Sequence, residues 1–187
     1  MKDFSDFIRA RVLISDNDLT NVLVKFKEKV IKKGTLVLRK GQIANQYFYI
    51  RSGGLRLYYG EFDEQHTSWA FFKNDFFTEI SSLHHQVPSR FNIEAIEETE
   101  LLVISKIEMD QLYKLFPVWQ EFGRKIWEEM CIRQVDQNLQ YQTLTAEQIY
   151  LELSKNQDFI RKIPVKQLAT ILGITPNALS RIRRNIR

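Results

Sequence analysis

The feature that most constrains this chain is a change of hydrophobic period near Lys106. Between about residues 25 and 105 the period is two. Leu36 and Leu38 alternate with Val37 and Arg39, and Leu55, Leu57 and Tyr59 alternate with Arg56 and Tyr58. Gly34, Gly41, the Gly53-Gly54 pair and Gly60 punctuate these runs, and residues 101–105 form one last apolar segment. Period two means side chains alternating between the faces of strands, and short strands with regular turn residues close into a roll or sandwich. The first part of the chain is therefore expected to be an antiparallel β-roll of the jelly-roll kind.

After Lys106 the spacing becomes helical. Met109, Leu112, Tyr113, Leu115 and Phe116 mark one helix, and Pro117, tolerated only in a first turn, opens another that should run to about Gln140. Along it Trp119, Phe122, Ile126, Met130 and then Arg133 recur at steps of three or four. A helix of ~24 residues is ~36 Å long, more than a small roll needs for cover. Trp119, Phe122, Ile126 and Met130 are accordingly expected to face a partner helix in a homodimer. Residues 138–143 read as a polar hinge. Thr145 with Gln148 then forms a capping-box signature for a helix over residues 146–155, with Ile149, Tyr150 and Leu153 inward. At the other end, residues 1–17 mix Phe4, Phe7, Ile8 and Val12 with charges, as a short docking helix would and a secretory signal would not.

Charge is distributed unevenly. The net +4 of the 187 residues conceals seven basic and no acidic residues from Phe159 onward, leaving 20 basic against 23 acidic in the rest. A neutral-to-acidic body with a basic end suggests that the end meets a polyanion. The chain has one cysteine, Cys131, so neither an intrachain disulfide nor a cysteine-ligated iron–sulfur cluster is available to it. Charged residues interrupt every apolar run short of the ~18 residues that a membrane span requires. A reducing cytoplasm is the expected setting, and no membrane association is expected.

The basic end has internal order. Residues 166–172 form a short helix with Leu168, Ala169 and Leu172 on one side, and Gly173 supplies the positive φ of a tight turn. Thr175 caps a second helix that begins at Pro176 and is anchored by Leu179 and Ile182. Ala169 lets the two helices approach. This arrangement directs Pro176, Asn177, Ser180, Arg181 and Arg184 outward, as a recognition helix presents itself to the major groove. Asn177 suits adenine and Arg181 guanine. Lys166, Arg183, Arg184 and Arg187 are expected on phosphates.

The sequence as a whole resembles the Crp/Fnr family of bacterial transcription regulators. The resemblance is carried by residues 33–36 (KGTL), Lys40-Gly41, residues 47–57 (YFYIRSGGLRL), residues 75–79 (DFFTE) and the helix pair. It implies a cyclic-nucleotide-binding-type roll, a helix that pairs in a homodimer, and an effector pocket linked to DNA binding. In cAMP-binding members a Gly-Glu pair is followed about ten residues later by Arg-Ser or Arg-Thr. Here Thr78 precedes Glu79, and Ser89 stands where the arginine belongs with Arg90 one residue late. A one-residue slip in a strand turns a side chain to the other face. Glu79, Ser89 and Arg90 are thus the effector-pocket candidates, cAMP is not expected, and a Glu79–Arg90 ion pair is the alternative. The cysteine cluster of the Fnr branch is absent, and His66, His84 and His85 lack the context of a haem or metal site. Many relatives continue beyond the recognition helix into a β-hairpin wing, for which this sequence shows no strands.

The expected organisation is α+β, with a sensor roll over residues 1–116, a dimerisation helix over 117–141 and an all-α helix-turn-helix over 142–187. Expected partners are double-stranded DNA, a second copy and, for an activator, RNA polymerase. No cofactor is expected. The competing classes are a cupin-like enzyme, disfavoured because no His-x-His pair precedes a carboxylate, and a sensing or interaction module with degenerate DNA binding. No enzymatic activity is expected.

Overall fold

The computed structural model describes residues 1–61 and 64–186. Helices α1 (Lys2–Arg9) and α2 (Asp16–Leu23) precede strands β1 (Lys27–Ile31), β2 (Leu36–Leu38), β3 (Gln46–Ser52), β4 (Gly54–Tyr59), β5 (His66–Phe72) and β6 (Phe76–Phe77). Helix α3 (Ile80–His85), β7 (Asn92–Ala95) and β8 (Thr99–Ser105) complete the roll. The remainder is helical: α4 (Lys106–Leu115), α5 (Pro117–Thr143), α6 (Ala146–Ser154), α7 (Gln157–Lys162), α8 (Val165–Ile171) and α9 (Pro176–Asn185). The N-terminal segment is two helices where one was expected, and α7 was not foreseen.

The strands form two antiparallel four-stranded sheets, in the orders β1-β8-β3-β6 and β2-β7-β4-β5. The central strands of the first sheet are covered on both faces, whereas its edge strand β1 is exposed. Leu101–Ile104 of β8 and Tyr47–Ile50 of β3 are buried in unbroken runs, because α1 and α5 close over the outer side while the roll interior closes the inner. Phe4 of α1 lies 4.5 Å from the Tyr49 ring, and Phe122 of α5 lies 5.8 Å from Phe76.

Local chemistry fixes the helix boundaries. Ser105 and Glu108 form a reciprocal capping box at the start of α4, as do Thr145 and Gln148 at α6. Phe116 is extended and Pro117 takes the first position of α5. The predicted hinge is absent: residues 138–143 continue α5 to Thr143, giving 27 residues and ~40 Å. Polar residues alone do not end a helix when no glycine or proline interrupts the backbone ladder.

The predicted partner stripe also requires correction. Trp119, Phe122 and Ile126 are buried in the chain's own core, with Trp119 stacked on Phe122 at 4.4 Å and its indole N–H donating to Met109 Sδ at 3.3 Å. Met130 is partly buried against the same cluster. A spacing of three and four identifies a buried face without identifying what covers it. The uncovered apolar residues are on the opposite side, where Ile132, Val135 and Leu139 are 62%, 66% and 58% exposed and Cys131 is exposed with them. No helix among the described residues is long and apolar enough to cross a membrane.

Candidate nucleic-acid interface and junction cavity

Helices α8 and α9 form the expected pair. Leu168, Ala169, Ile171, Leu172 and Leu179 are buried between them and against Ile149, Tyr150, Phe159 and Ile163. Gly173 takes φ +66 in the turn, where its amide donates to the Thr170 carbonyl at 3.2 Å. The Thr175 hydroxyl accepts from the Ala178 amide at 3.2 Å and Pro176 occupies the first turn of α9. One edge of α9 is thereby left open: Asn177, Ser180, Arg181 and Arg184 are all exposed. Lys166 on α8 and Arg161 on α7 are exposed as well. None of these four cations is ion-paired among the described residues. Arg187 lies outside the described residues.

Arg183 departs from expectation. It turns toward the core with its guanidinium carbon 5.7 Å from the Tyr150 ring centroid, and its Nε and Nη2 are buried without a hydrogen-bond partner. The Tyr150 face offsets part of the lost hydration, and the group is not presented to a phosphate. The reason is angular: Arg183 is two positions after Arg181, which places them on different sides of a helix. Lys162 is engaged too, at 2.8 Å from Glu97 of the roll and 3.1 Å from Asp158. Burial opposes its charge, yet the two carboxylates hold its ammonium above the usual lysine range.

The helix pair is seated on the outer face of the second sheet. Ala70, Phe72 and Ile96 of the roll belong to the same apolar cluster as α6–α9, and Phe159 meets Trp69 at 5.0 Å and Phe72 at 5.1 Å. Arg56 is buried on this sheet, bonded to Glu94 at 2.9 Å and Gln65 at 2.7 Å. Two hydrogen bonds tie the pair to its support. The Thr67 amide donates to Thr170 Oγ1 at 3.0 Å, and the Tyr141 hydroxyl donates to the Ile171 carbonyl at 3.0 Å.

A cavity of about 420 Å³ lies where the roll, α3 and the second half of α5 meet. Trp69, Phe71, Phe91 and Tyr141 supply aromatic wall, and Arg133 and Glu79 are the charged residues lining it. Both charges are engaged within the chain. Arg133 Nη1 is 3.0 Å from Asp75, and the Glu79 carboxylate caps α3 by accepting from the Ser81 and Ser82 amides at 3.1 and 3.2 Å. Of the three predicted pocket residues only Glu79 lines the cavity. Ser89 is buried in its own turn, its hydroxyl donating to the Phe91 carbonyl at 3.0 Å and accepting from the Phe91 amide at 3.1 Å, and Arg90 is exposed. No Glu79–Arg90 ion pair forms, because the cap occupies the carboxylate. Trp69, Arg133 and Tyr141 went unassigned to this site; Arg133, already in register with the inward stripe of α5, was the one readable signal.

Comparison with known proteins places these features. Residues 28–115 match the family model described as the cyclic nucleotide-binding domain. No curated protein matches the sequence. Among solved structures, FixK2 from Bradyrhizobium japonicum shares the fold with a TM-score of 0.69 at 16% identity, over 86% of this chain and 84% of that one. A CooA variant from Carboxydothermus hydrogenoformans gives 0.67 at 18% identity, over 94% and 86%. The c-di-GMP responsive global regulator CLP from Xanthomonas campestris gives 0.67 at 14% identity, over 92% and 91%. These are regulators of the Crp/Fnr type, and the likeness is one of fold across the roll, the long helix and the helix pair.

Proposed function

We propose that this chain, which carries a cyclic nucleotide-binding-type domain within the Crp/Fnr fold, is a sequence-specific DNA-binding transcription regulator of the cytoplasm. The observation that carries this reading is the open edge of α9. Asn177, Ser180, Arg181 and Arg184 project from a helix whose other side is fixed by Leu179, and no acid of the chain engages the two arginines among the described residues. Asn177 and Arg181 would read base edges; Arg184 and Lys166 would neutralise phosphates and set register.

Two copies are needed for a palindromic site. The exposed stripe of Cys131, Ile132, Val135 and Leu139 on the second half of α5 is the surface that suits a second copy, in place of the buried Trp119 side. Pairing there would present two α9 helices to successive major grooves, ~34 Å apart. An activator of this kind would also contact RNA polymerase.

The cavity is the place for a small effector, and its chemistry does not fit a cyclic phosphate. An anion entering it would need a cation, and Arg133 already holds Asp75 while Arg90 lies outside the lining. Burying a phosphate without a matched cation costs several kcal/mol. The reading is tested by selecting bound fragments from random duplex DNA with the purified protein. The expected product is an inverted repeat, and an unenriched pool at low salt would overturn the assignment.

A further inference from the structure

The residues that line the junction cavity do not by themselves decide which charge it admits. Arg133 lines it and Asp75 does not, yet Asp75 determines what Arg133 is free to do. Asp75 sits in the turn between β5 and β6, after Asn74 at φ +70, and is fixed from several sides. One carboxylate oxygen accepts from the Phe72 amide at 2.8 Å and the other from Arg133 at 3.0 Å. Its own amide donates to the Phe72 carbonyl, and its carbonyl accepts from the Ile50 amide, both at 3.0 Å. A carboxylate anchored in this way needs no rearrangement to hold the guanidinium, so an anion entering the cavity competes with a partner already in place. A cation fares no better. Glu79 is 8% exposed, and its two oxygens accept from the Ser81 and Ser82 amides. An ammonium would exchange its hydration for a carboxylate that α3 already engages.

What remains is flat apolar wall with a few neutral polar groups. Trp69, Phe71 and Phe91 line the cavity, and each is braced from outside it by a second ring. Phe159 lies 5.0 Å from Trp69, Phe77 stacks on Phe71 at 3.8 Å with 6° between the planes, and Tyr59 meets Phe91 edge-on at 6.1 Å. Gln134 and Gln137, three apart and so on one face of α5, bring carboxamides that both donate and accept. The volume of about 420 Å³ is that of a small-ligand pocket. We infer that the cavity takes an uncharged, planar aromatic molecule carrying a hydrogen-bonding group, and that Asp75, by holding Arg133, is the residue that sets the site against anions. The inference rests on the reading of the cavity as the effector site and adds the chemistry that the site admits. Ring faces of the ligand meet the aromatic wall, its polar group meets Gln134 or Gln137, and the Asp75–Arg133 pair stays closed.

Calorimetry on the full chain without DNA tests this with one ring system in two charge states: naphthol, uncharged at neutral pH, and naphthoate. Naphthol should bind, and naphthoate should bind about tenfold or more weaker. Asp75→Asn keeps an oxygen for the Phe72 amide but removes the charge that holds Arg133. It should strengthen naphthoate about tenfold or more and change naphthol by less than about twofold, so that the preference collapses. A purely structural role of Asp75 would weaken both probes alike. Adding Arg133→Gln to Asp75→Asn should return naphthoate to its wild-type affinity. Gln137→Trp, which fills the cavity from α5, should abolish naphthol binding, and Gln142→Trp on an exposed position of the same helix should not. Melting curves identify any variant that fails to fold, and the wild-type preference between the two probes is a test that needs no variant. Wild-type protein that binds naphthoate as tightly as naphthol, or neither probe below millimolar concentration, overturns the ligand class. An unchanged preference in folded Asp75→Asn overturns the role of Asp75. Naphthol binding by a protein that enriches no DNA fragment would instead overturn the regulator reading and leave the ligand class standing.

Discussion

The outer edge of α9 and the wall of the junction cavity both carry charge, and they dispose of it in opposite ways. On α9, Arg181 and Arg184 stand in solvent with no acid of the chain drawn to them among the described residues. In the cavity, Arg133 is held by Asp75 and Glu79 by the first turn of α3. Open charge leaves the pairing to a polyanion from outside, whereas engaged charge leaves an interior that suits aromatic and hydrogen-bonding groups. A charge in a candidate site is informative only once its intrachain partner is known.

The contrast can be broken most severely at α5, which joins the two regions. Val135→Asp places a charge in the exposed apolar stripe; it should split the dimer in sedimentation and lower affinity for an inverted repeat about 100-fold or more, because the two half-sites are no longer linked. Mild oxidation should cross-link two wild-type copies through Cys131 on the same stripe and leave Cys131→Ser unlinked. Next in size, Arg181→Ala should cost about 1–3 kcal/mol per half-site and remove preference at one base position, while Arg184→Ala should weaken all duplexes alike and lower the salt slope by about one per subunit. Equal behaviour of the two would dissolve the distinction between reading and positioning. Glu79→Ala should cost ~1 kcal/mol of stability through the lost cap, lowering the melting temperature by about 2–4 °C without changing affinity for DNA. Smallest of all, Arg183→Met should keep DNA affinity within about twofold and leave stability nearly unchanged, since replacing a buried cation by an apolar side chain of similar volume is often neutral. A loss of salt slope in Arg183→Met would return that residue to the phosphate-contacting set.

Much of the architecture was legible in the sequence because it depends on local rules. Period two with glycine turns indicated the roll, the capping box at Thr145 indicated α6, and Thr175-Pro176 with Gly173 indicated the helix pair. The misreadings share a cause, which is that spacing gives the face of a helix or strand but not what lies against it. Trp119, Phe122 and Ile126 form a stripe whether a partner or the roll covers them. Ser89 and Arg90 were placed by analogy with a cassette that this chain's turn does not reproduce. The bulge of β5 at Ser68, where Leu57 pairs with Trp69 and Tyr58 with Thr67, has no signature in the sequence, since a bulge depends on the register of the neighbouring strand.

One further consequence concerns how the molecule is made. β1 pairs with β8 about seventy residues later, and the Arg11 guanidinium clasps Glu129 of α5 at 2.8 Å. The first strand of a nascent chain thus has no partner until β8 is made, and the first helix lacks its clasp until α5 has left the ribosome. Non-local closure of this kind slows folding and exposes unpaired apolar segments in the meantime. Synthesis halted at residue 116 would yield a roll without Trp119, Phe122 and Ile126, a half-built interior rather than an independent sensor.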